Sequence, residues 1–223
     1  MASVAHELRE PLVGARAALE TVIEGGGGPD HRLLVRIYDE LTHLLEVVDP
    51  LLRWSVGSRD LDRRSIDLVR LVRRVLASIA VEDNRLGDPI GRVRLMAPAA
   101  VVAVRADPTI LEGAFANVLR NALAYSPPGA PIEVAVDVRE GAAVVSIRDG
   151  GPGIPPGERD AVFEPFGRGR AGRRTRAGHG LGLFIARRIV EAHGGTIELV
   201  PSGFGATFCI RLPVEGRRPS STS

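Results

Sequence analysis

The chain has 223 residues, 44% of them hydrophobic, with 29 basic residues against 27 acidic for a formal charge of +2. That supplies enough material for one large domain or two small ones, and the near-balance of charge gives no global support for direct nucleic-acid binding. No apolar run approaches the ~18–20 residues that cross a bilayer, Met1 opens no signal peptide, and the single Cys209 makes no internal disulfide and is expected to pack in the core.

In chain order, Val4, Leu8, Leu12, Ala15, Leu19 and Val22 recur at helical spacing and predict an amphipathic helix from Ala2 to about Glu24. Gly25 to Gly28 end it, and Leu34, Ile37, Leu41, Leu44, Val48 and Leu51 predict a second helix to about Trp54. Pro11 and Pro50 each remove a backbone donor, so local kinks are expected at both. Two apolar stripes joined by a short glycine turn do not bury themselves in a lone hairpin; a homodimer through residues 2–56, making a four-helix bundle, buries both. Residues 57–64, GSRDLDRR, predict a polar linker.

Over residues 65–214 strands and helices mix without strict alternation. SIDLVRLVRRVLASIA predicts a short strand followed by a helix, and RVRLM and VVAVRAD predict a pair of strands around Ala97 to Ala100. Asp107 to Ala124 is a predicted helix capped by Asp107, with Pro108 in its first turn. IEVAVDV and AAVVSIRD alternate about Glu140 and Gly141 as a hairpin, LFIARRIVEAH has helical spacing, and TIELV and ATFCIRL extend the sheet. The expected fold class is an all-α helical hairpin followed by an α+β sandwich with helices stacked on one face of a mixed sheet. Residues 215–223 predict a disordered tail.

The chemistry concentrates between Asp149 and Gly182. Two glycine clusters, DGGPGIP at 149–155 and GHGLGL at 178–183, flank a proline-and-phenylalanine segment and an arginine-rich loop. Glycines cluster where a backbone turns with positive φ or approaches a ligand closely. Asp149, ending the strand of Ala143, Val145 and Ile147, is placed to accept a hydrogen bond from an exocyclic amine, while Gly151 and Gly153 let a flat base lie close. The second cluster opens into a helix, whose free N–H groups and positive dipole end suit phosphate. Arg168, Arg170, Arg173, Arg174 and Arg176 add positive charge beside it. Two such turns facing one pocket point to a bound nucleotide, where either alone reads as easily as a surface turn. The Walker pattern is absent, the chain having no lysine, and the second cluster lacks the following strand and acid of a dinucleotide fold.

Four blocks, NVLRNALAYSP (117–127), DGGPGIP (149–155), FEPFGRG (163–169) and GHGLGL (178–183), resemble the N, G1, F and G2 boxes of the sensor histidine kinases, and SVAHELREPL (3–12) resembles their H box. The resemblance spans nearly the whole chain. It implies a dimerisation and phosphoacceptor hairpin over 1–56 and a GHKL-type ATP-binding domain over 65–214. It further implies ATP and Mg2+ as cofactors, phosphorylation of a histidine, transfer to an aspartate of a response-regulator protein, and a cytoplasmic place, alone or as the cytoplasmic part of a membrane receptor.

Residue by residue, the resemblance makes His6 the nucleophile, as neutral imidazole, and Glu7 the base that holds its tautomer and takes its proton. His31, His43, His179 and His193 lack that setting and are expected to be surface or backbone-supporting. Asn117 and Asn121, four apart, share a helix face; alone such a pair reads as a structural hydrogen-bond brace, and the resemblance makes Asn121 the magnesium ligand and Asn117 a neighbour of the triphosphate. Asp149 is implied to bind the adenine amine, with Gly151, Gly153 and Ile154 lining the base pocket and Tyr125 either stacking near the purine or serving as a core aromatic. Phe163 and Phe166 are implied to anchor the base of a lid, and Gly178, Gly180 and Gly182, flanking Leu181, to meet phosphates through backbone amides.

The chain also departs from the pattern. Related gyrase and chaperone ATPases carry a glutamate base where Asn117 stands, which favours transfer over hydrolysis. Ala124 replaces a basic residue, a phosphate contact that Arg168 is expected to take over. Glu10 replaces threonine or asparagine, and its charge predicts weak phosphatase activity toward the partner. The rival function is a nucleotide-gated interaction module, a degenerate kinase that reports ATP without transferring phosphate.

Overall fold

The computed structural model describes residues 61–84, 92–98, 100–167 and 180–215, all within the compact unit Trp54–Ser223. The predicted hairpin over 1–56, with the bundle it would form in a dimer, and the tail beyond 215 lie outside the described residues.

Strand β1 (Arg64–Asp67) runs straight into helix α1 (Leu68–Asn84), as the sequence predicts. Asp67 Oδ1 accepts from the Val69 N–H at 3.0 Å at this junction, and Leu68, Leu71, Val72, Val75 and Ile79 form a stripe no more than 4% exposed. Val93–Met96 (β2) and Ala103–Ala106 (β3) are strands but not partners. β2 lies parallel to β4 (Ile132–Arg139), Leu95 opposite Val134, whereas β3 lies antiparallel to β1, Val104 opposite Ile66. The predicted pairing is thereby corrected. A tight hairpin needs residues that accept positive φ, and Ala-Pro-Ala-Ala at 97–100 offers none, so the chain crosses from one sheet to the other.

Helix α2 (Pro108–Tyr125) begins as expected: Asp107 Oδ1 accepts from the Thr109 N–H at 3.1 Å and the Ile110 N–H at 3.2 Å, with Pro108 at the first position. β4 and β5 (Ala142–Arg148) form the predicted hairpin, and Glu140 (φ 53°) and Gly141 (φ 80°) take the left-handed turn that matches strand twist. Helix α3 (Gly182–Ala192) and strands β6 (Thr196–Val200) and β7 (Thr207–Pro213) complete a five-stranded sheet in the order β2-β4-β5-β7-β6.

Alternation along the strands decides the layers. Ile132, Val134, Val136, Val145, Ile147, Phe208, Ile210 and Leu212 are at most 4% exposed and share the face that meets the helices. The other face carries the ion pairs Arg148–Glu133 (3.6 Å), Arg211–Glu198 (3.5 Å) and Arg139–Asp137 (2.8 Å). Exposed pairs of this kind contribute little; the helix-facing layer, at roughly 1.5–3 kcal/mol per large buried side chain, holds the fold. This is the expected α+β sandwich. Cys209 is buried as expected, on the sheet face opposite the helices by its register with Glu198 and Ser146, and burial pushes its thiol pKa up. No helix of the described residues is long and apolar enough to cross a membrane.

His193 ties two helix ends together from inside the fold, at 4% exposure. Its Nε2 accepts from the Asp107 N–H at 3.1 Å, and its Nδ1–H donates to the Ile189 carbonyl at 2.8 Å. Only the neutral Nδ1–H tautomer satisfies both. His193 therefore supports the backbone, as expected, but from a buried position. Burial, assisted by the charge of Arg63, holds its pKa below the usual histidine range against the opposing pull of the Ile189 carbonyl and Asp107. The unfolded chain, with pKa ~6.5, takes up the proton first as pH falls, so stability that is complete above that value is lost on acidification through it. Unfolding midpoints in urea at about pH 7.5 and about pH 5.5 should fall on acidification, with a smaller pH slope in His193→Gln; equal slopes would exclude His193 as the cause.

Candidate functional site

Asp149 leaves the end of β5 only 5% exposed. Its Oδ1 accepts from the N–H groups of Gly151 and Ala206, both at 2.9 Å, and its own N–H donates to the Ala206 carbonyl at 2.9 Å. The carboxylate is thus held from two sides, by its own turn and by the loop entering β7. Oδ2 accepts no hydrogen bond from the described residues and is not sealed from solvent. Burial pushes the Asp149 pKa up, and the two backbone donors pull it back without cancelling the effect.

The loop entering β7 comes this close only because it carries glycine. A Cβ on Gly205 (φ 69°) would stand 1.9 Å from the Asp149 carbonyl oxygen, and one on Gly153 would stand 2.9 Å from the Gly205 carbonyl oxygen. Ser202 Oγ donates to that same carbonyl at 2.7 Å. On the opposite side, Ser126 Oγ accepts from the Gly150 N–H at 3.1 Å, and Gly151 lies against the Tyr125 carbonyl. Ile154 follows, half-buried. Ser126, Gly205 and Ala206 were not among the residues singled out from the sequence. The G-x-G of SGFGATF, just ahead of a strand, was the available signal for two of them; Ser126 had none beyond its place after a helix.

Along α2 the buried stripe of Leu111, Phe115, Val118, Leu119 and Ala122 leaves Asn117 and Asn121 half-exposed, one turn apart. No hydrogen bond engages either carboxamide among the described residues, so the structural brace open to such a pair is not made there. Tyr125, half-buried, meets the first glycine cluster through its backbone, and its ring makes no aromatic contact among the described residues.

Helix α3 begins opposite Asn117. A Cβ on Gly182 would lie 3.8 Å from the Asn117 Cβ and 3.9 Å from its Oδ1, ordinary contact distances, so what Gly182 contributes is its bare amide rather than missing bulk. Leu181 is 3% exposed and accepts from the Ile185 N–H at 2.9 Å. The N–H groups of Gly182 and Leu183 find no acceptor among the described residues, and no side chain caps the helix. Free amides and the positive dipole end, beside two unengaged carboxamides, suit a chain of phosphates.

Gly180 (φ 72°) joins this helix start to the phenylalanine segment: a Cβ there would stand 2.8 Å from the Phe166 carbonyl carbon. Phe163 is 4% exposed and meets Phe208 edge-on, with centroids 6.3 Å apart. Phe166 is half-buried on a left-handed backbone (φ 61°). His6, Glu7, Glu10, Arg168 and Gly178 lie outside the described residues. Among the described residues no three His, Cys, Asp or Glu side chains cluster as a metal site. A magnesium ion would rely on an amide oxygen such as Asn121 Oδ1, with ligand oxygens and water, which fits that ion's preferences.

Residues 106–216 match the family described as Histidine kinase-, DNA gyrase B-, and HSP90-like ATPase. The probable sensor histidine kinase TcrY of Mycobacterium tuberculosis is 33% identical over all of this chain and 47% of its own length; the chain spans less than half the length of the curated relatives it matches. The structure of the mycobacterial sensor histidine kinase MprB is 32% identical, with a TM-score of 0.57 over 68% of this chain and 97% of that one. Histidine kinase ThkA in complex with response regulator protein TrrA shares the fold, at TM-score 0.74 and 22% identity over 97% of this chain and 62% of that one.

The glycine geometry predicts opposite effects at two positions. Gly205→Ala should lower the unfolding free energy by ~2 kcal/mol or more. Gly113→Ala, in α2 with nothing within 4 Å of the new methyl, should raise it by ~0.5–1 kcal/mol. Denaturant titration of both variants measures this, and a neutral Gly205→Ala would remove the close approach from the account.

Proposed function

Because this chain belongs to the sensor histidine kinases, we propose that it is the ATP-dependent kinase core of a two-component pair, taking a phosphoryl group from ATP onto His6 and passing it to an aspartate of a response-regulator protein. The observation that carries this reading is the amide at Asn117, in contact range of the α3 start. Hydrolysis needs a base for water beside the terminal phosphate. An amide accepts no proton near neutral pH, so a phosphoryl group held there is preserved for another nucleophile.

In this reading the adenine amine donates to Asp149 Oδ2, Gly151, Gly153 and Ile154 line the base, and Tyr125 borders it. The amides of Gly178, Gly180, Leu181 and Gly182 hold the phosphates, and Arg168 supplies charge in place of the residue missing at Ala124. Asn121 Oδ1 holds Mg2+, which when bound offsets phosphate charge. The His6 imidazole attacks the γ-phosphorus as the bond to the ADP oxygen breaks, and Glu7 takes the imidazole proton. The hairpin of residues 1–56 pairs with a second copy, and ATP and the partner place the reaction in the cytoplasm. The ThkA–TrrA complex, on a protein of the same fold, supports the choice of partner class.

Incubation with γ-labelled ATP and magnesium should give acid-labile, base-stable label on the wild-type chain, none on His6→Gln and strongly reduced label on Asn121→Ala. Nucleotide binding without label on the wild type would establish the interaction module instead. ATP affinity should also fall on acidification, beginning above the ~3.9 of an ordinary aspartate, because the raised Asp149 pKa removes the charged acceptor early. Asp149→Asn should weaken ATP about tenfold or more, ~1.4 kcal/mol, and flatten that pH dependence; a profile identical to wild type would refute the adenine contact.

A further inference from the structure

We propose that Arg187 is a positioning residue for the phosphate half of the nucleotide site, acting through the face of Phe163; the inference rests on the ATP-binding reading above. Arg187 lies on α3 downstream of Gly182, with its guanidinium carbon 5.8 Å from the Phe163 ring centroid. Its Nε donates to Glu191 Oε1 at 3.0 Å, while Glu191 Oε2 accepts from Arg188 Nη1 at 3.1 Å. One carboxylate thus holds the guanidinium in place over the ring. The same Phe163 ring meets Phe208 of β7 edge-on. The ring therefore touches both a cation on α3 and the core of the sheet.

The contacts close into a circuit. Phe163 ends the turn that leads to Phe166 and Gly167, and the Gly167 N–H donates to the Glu164 carbonyl at 2.9 Å. The Phe166 backbone backs Gly180, and Gly180 stands two residues before Gly182, whose amide opens α3. Arg187 returns from α3 to Phe163. Attraction between the cation and the ring face keeps this turn against the helix and so keeps Phe166 behind Gly180. The adenine half shares none of these contacts, being fixed by Asp149, Ala206 and Ser126. A plain i,i+4 surface ion pair between Arg187 and Glu191 would contribute a little helix stability and leave every ligand unaffected.

The test is calorimetric titration of the full chain with Mg-ATP and, separately, adenosine, for wild type, Arg187→Met, Arg187→Lys and Phe163→Leu, with thermal midpoints taken alongside. Arg187→Met should weaken Mg-ATP about threefold and leave adenosine unchanged. Arg187→Lys, which keeps a cation over the ring, should restore most of the loss. Phe163→Leu, which keeps an apolar side chain but removes the ring face, should reproduce the Met pattern. Arg187→Met binding Mg-ATP like wild type, an equal loss for ATP and adenosine, or no rescue by lysine would each overturn the assignment. A wild-type chain that takes up no Mg-ATP would instead overturn the nucleotide reading, and this inference with it.

Discussion

Ala206 donates to the Asp149 carboxylate and accepts from the Asp149 amide, and the candidate site is built outward from that two-point clamp. Its origin lies in the sheet. β5 and β7 are paired as far as Arg148 opposite Thr207, so Asp149 and Ala206 are the next rung of the same ladder. One bond of that rung is ordinary. The other goes to a side-chain oxygen instead of the main-chain carbonyl, which turns toward Gly205 at a distance only a residue without Cβ permits. The ladder thus ends by exchanging a carbonyl for a carboxylate. Backbone donors offset part of the cost of burying the charge, and the exchange leaves Oδ2 without a hydrogen bond from the described residues.

The helices are set by a second constraint at their far ends. His193 joins the end of α3 to the first residue before α2, while Gly182 at the start of α3 lies against Asn117 within α2. The two helices therefore run antiparallel, and the His193 contact lies ~15 Å along them from the Asn117 contact at 1.5 Å per residue. A slip of one residue at His193 would move Gly182 along α2 by ~1.5 Å and change its contact with Asn117. A buried histidine thereby helps to hold the register between α2 and α3.

Local signals in the sequence reached the elements but not all of their partners. α2 was legible because Asp107, Pro108 and an apolar stripe agree with one another, and the β4–β5 turn because Glu140–Gly141 interrupts two alternating runs. Alternation announces a strand without naming its neighbour, which is why β2 and β3 were joined to each other when they belong to different sheets. The outward place of Cys209 was present in its alternation with Phe208 and Ile210, but its apolar surroundings argued the other way. The glycine clusters mark turns that the fold does make, with Gly153 and Gly180 both at positive φ. The Ala206 clamp joins positions 57 residues apart, and no local pattern carries that information. The left-handed backbone at Phe166 is again a property of the folded chain.

The two halves of the site are held by forces of different strength, and the difference bears on the proposed chemistry. The side proposed for adenine rests on short backbone hydrogen bonds in a setting where breaking one leaves a buried group unpaired, at ~1–3 kcal/mol each. The side proposed for phosphate has helix amides beside a turn that carries a half-exposed cation–ring contact, an interaction of ~0.5–1 kcal/mol. A site meant to hydrolyse its own nucleotide gains from fixing the terminal phosphate rigidly beside a base. A site meant to surrender that phosphate to another nucleophile needs the nucleotide retained while its far end stays adjustable. In the function proposed above, retention by Asp149, an amide in place of a base at Asn117 and a lightly secured α3 start would together meet the second requirement.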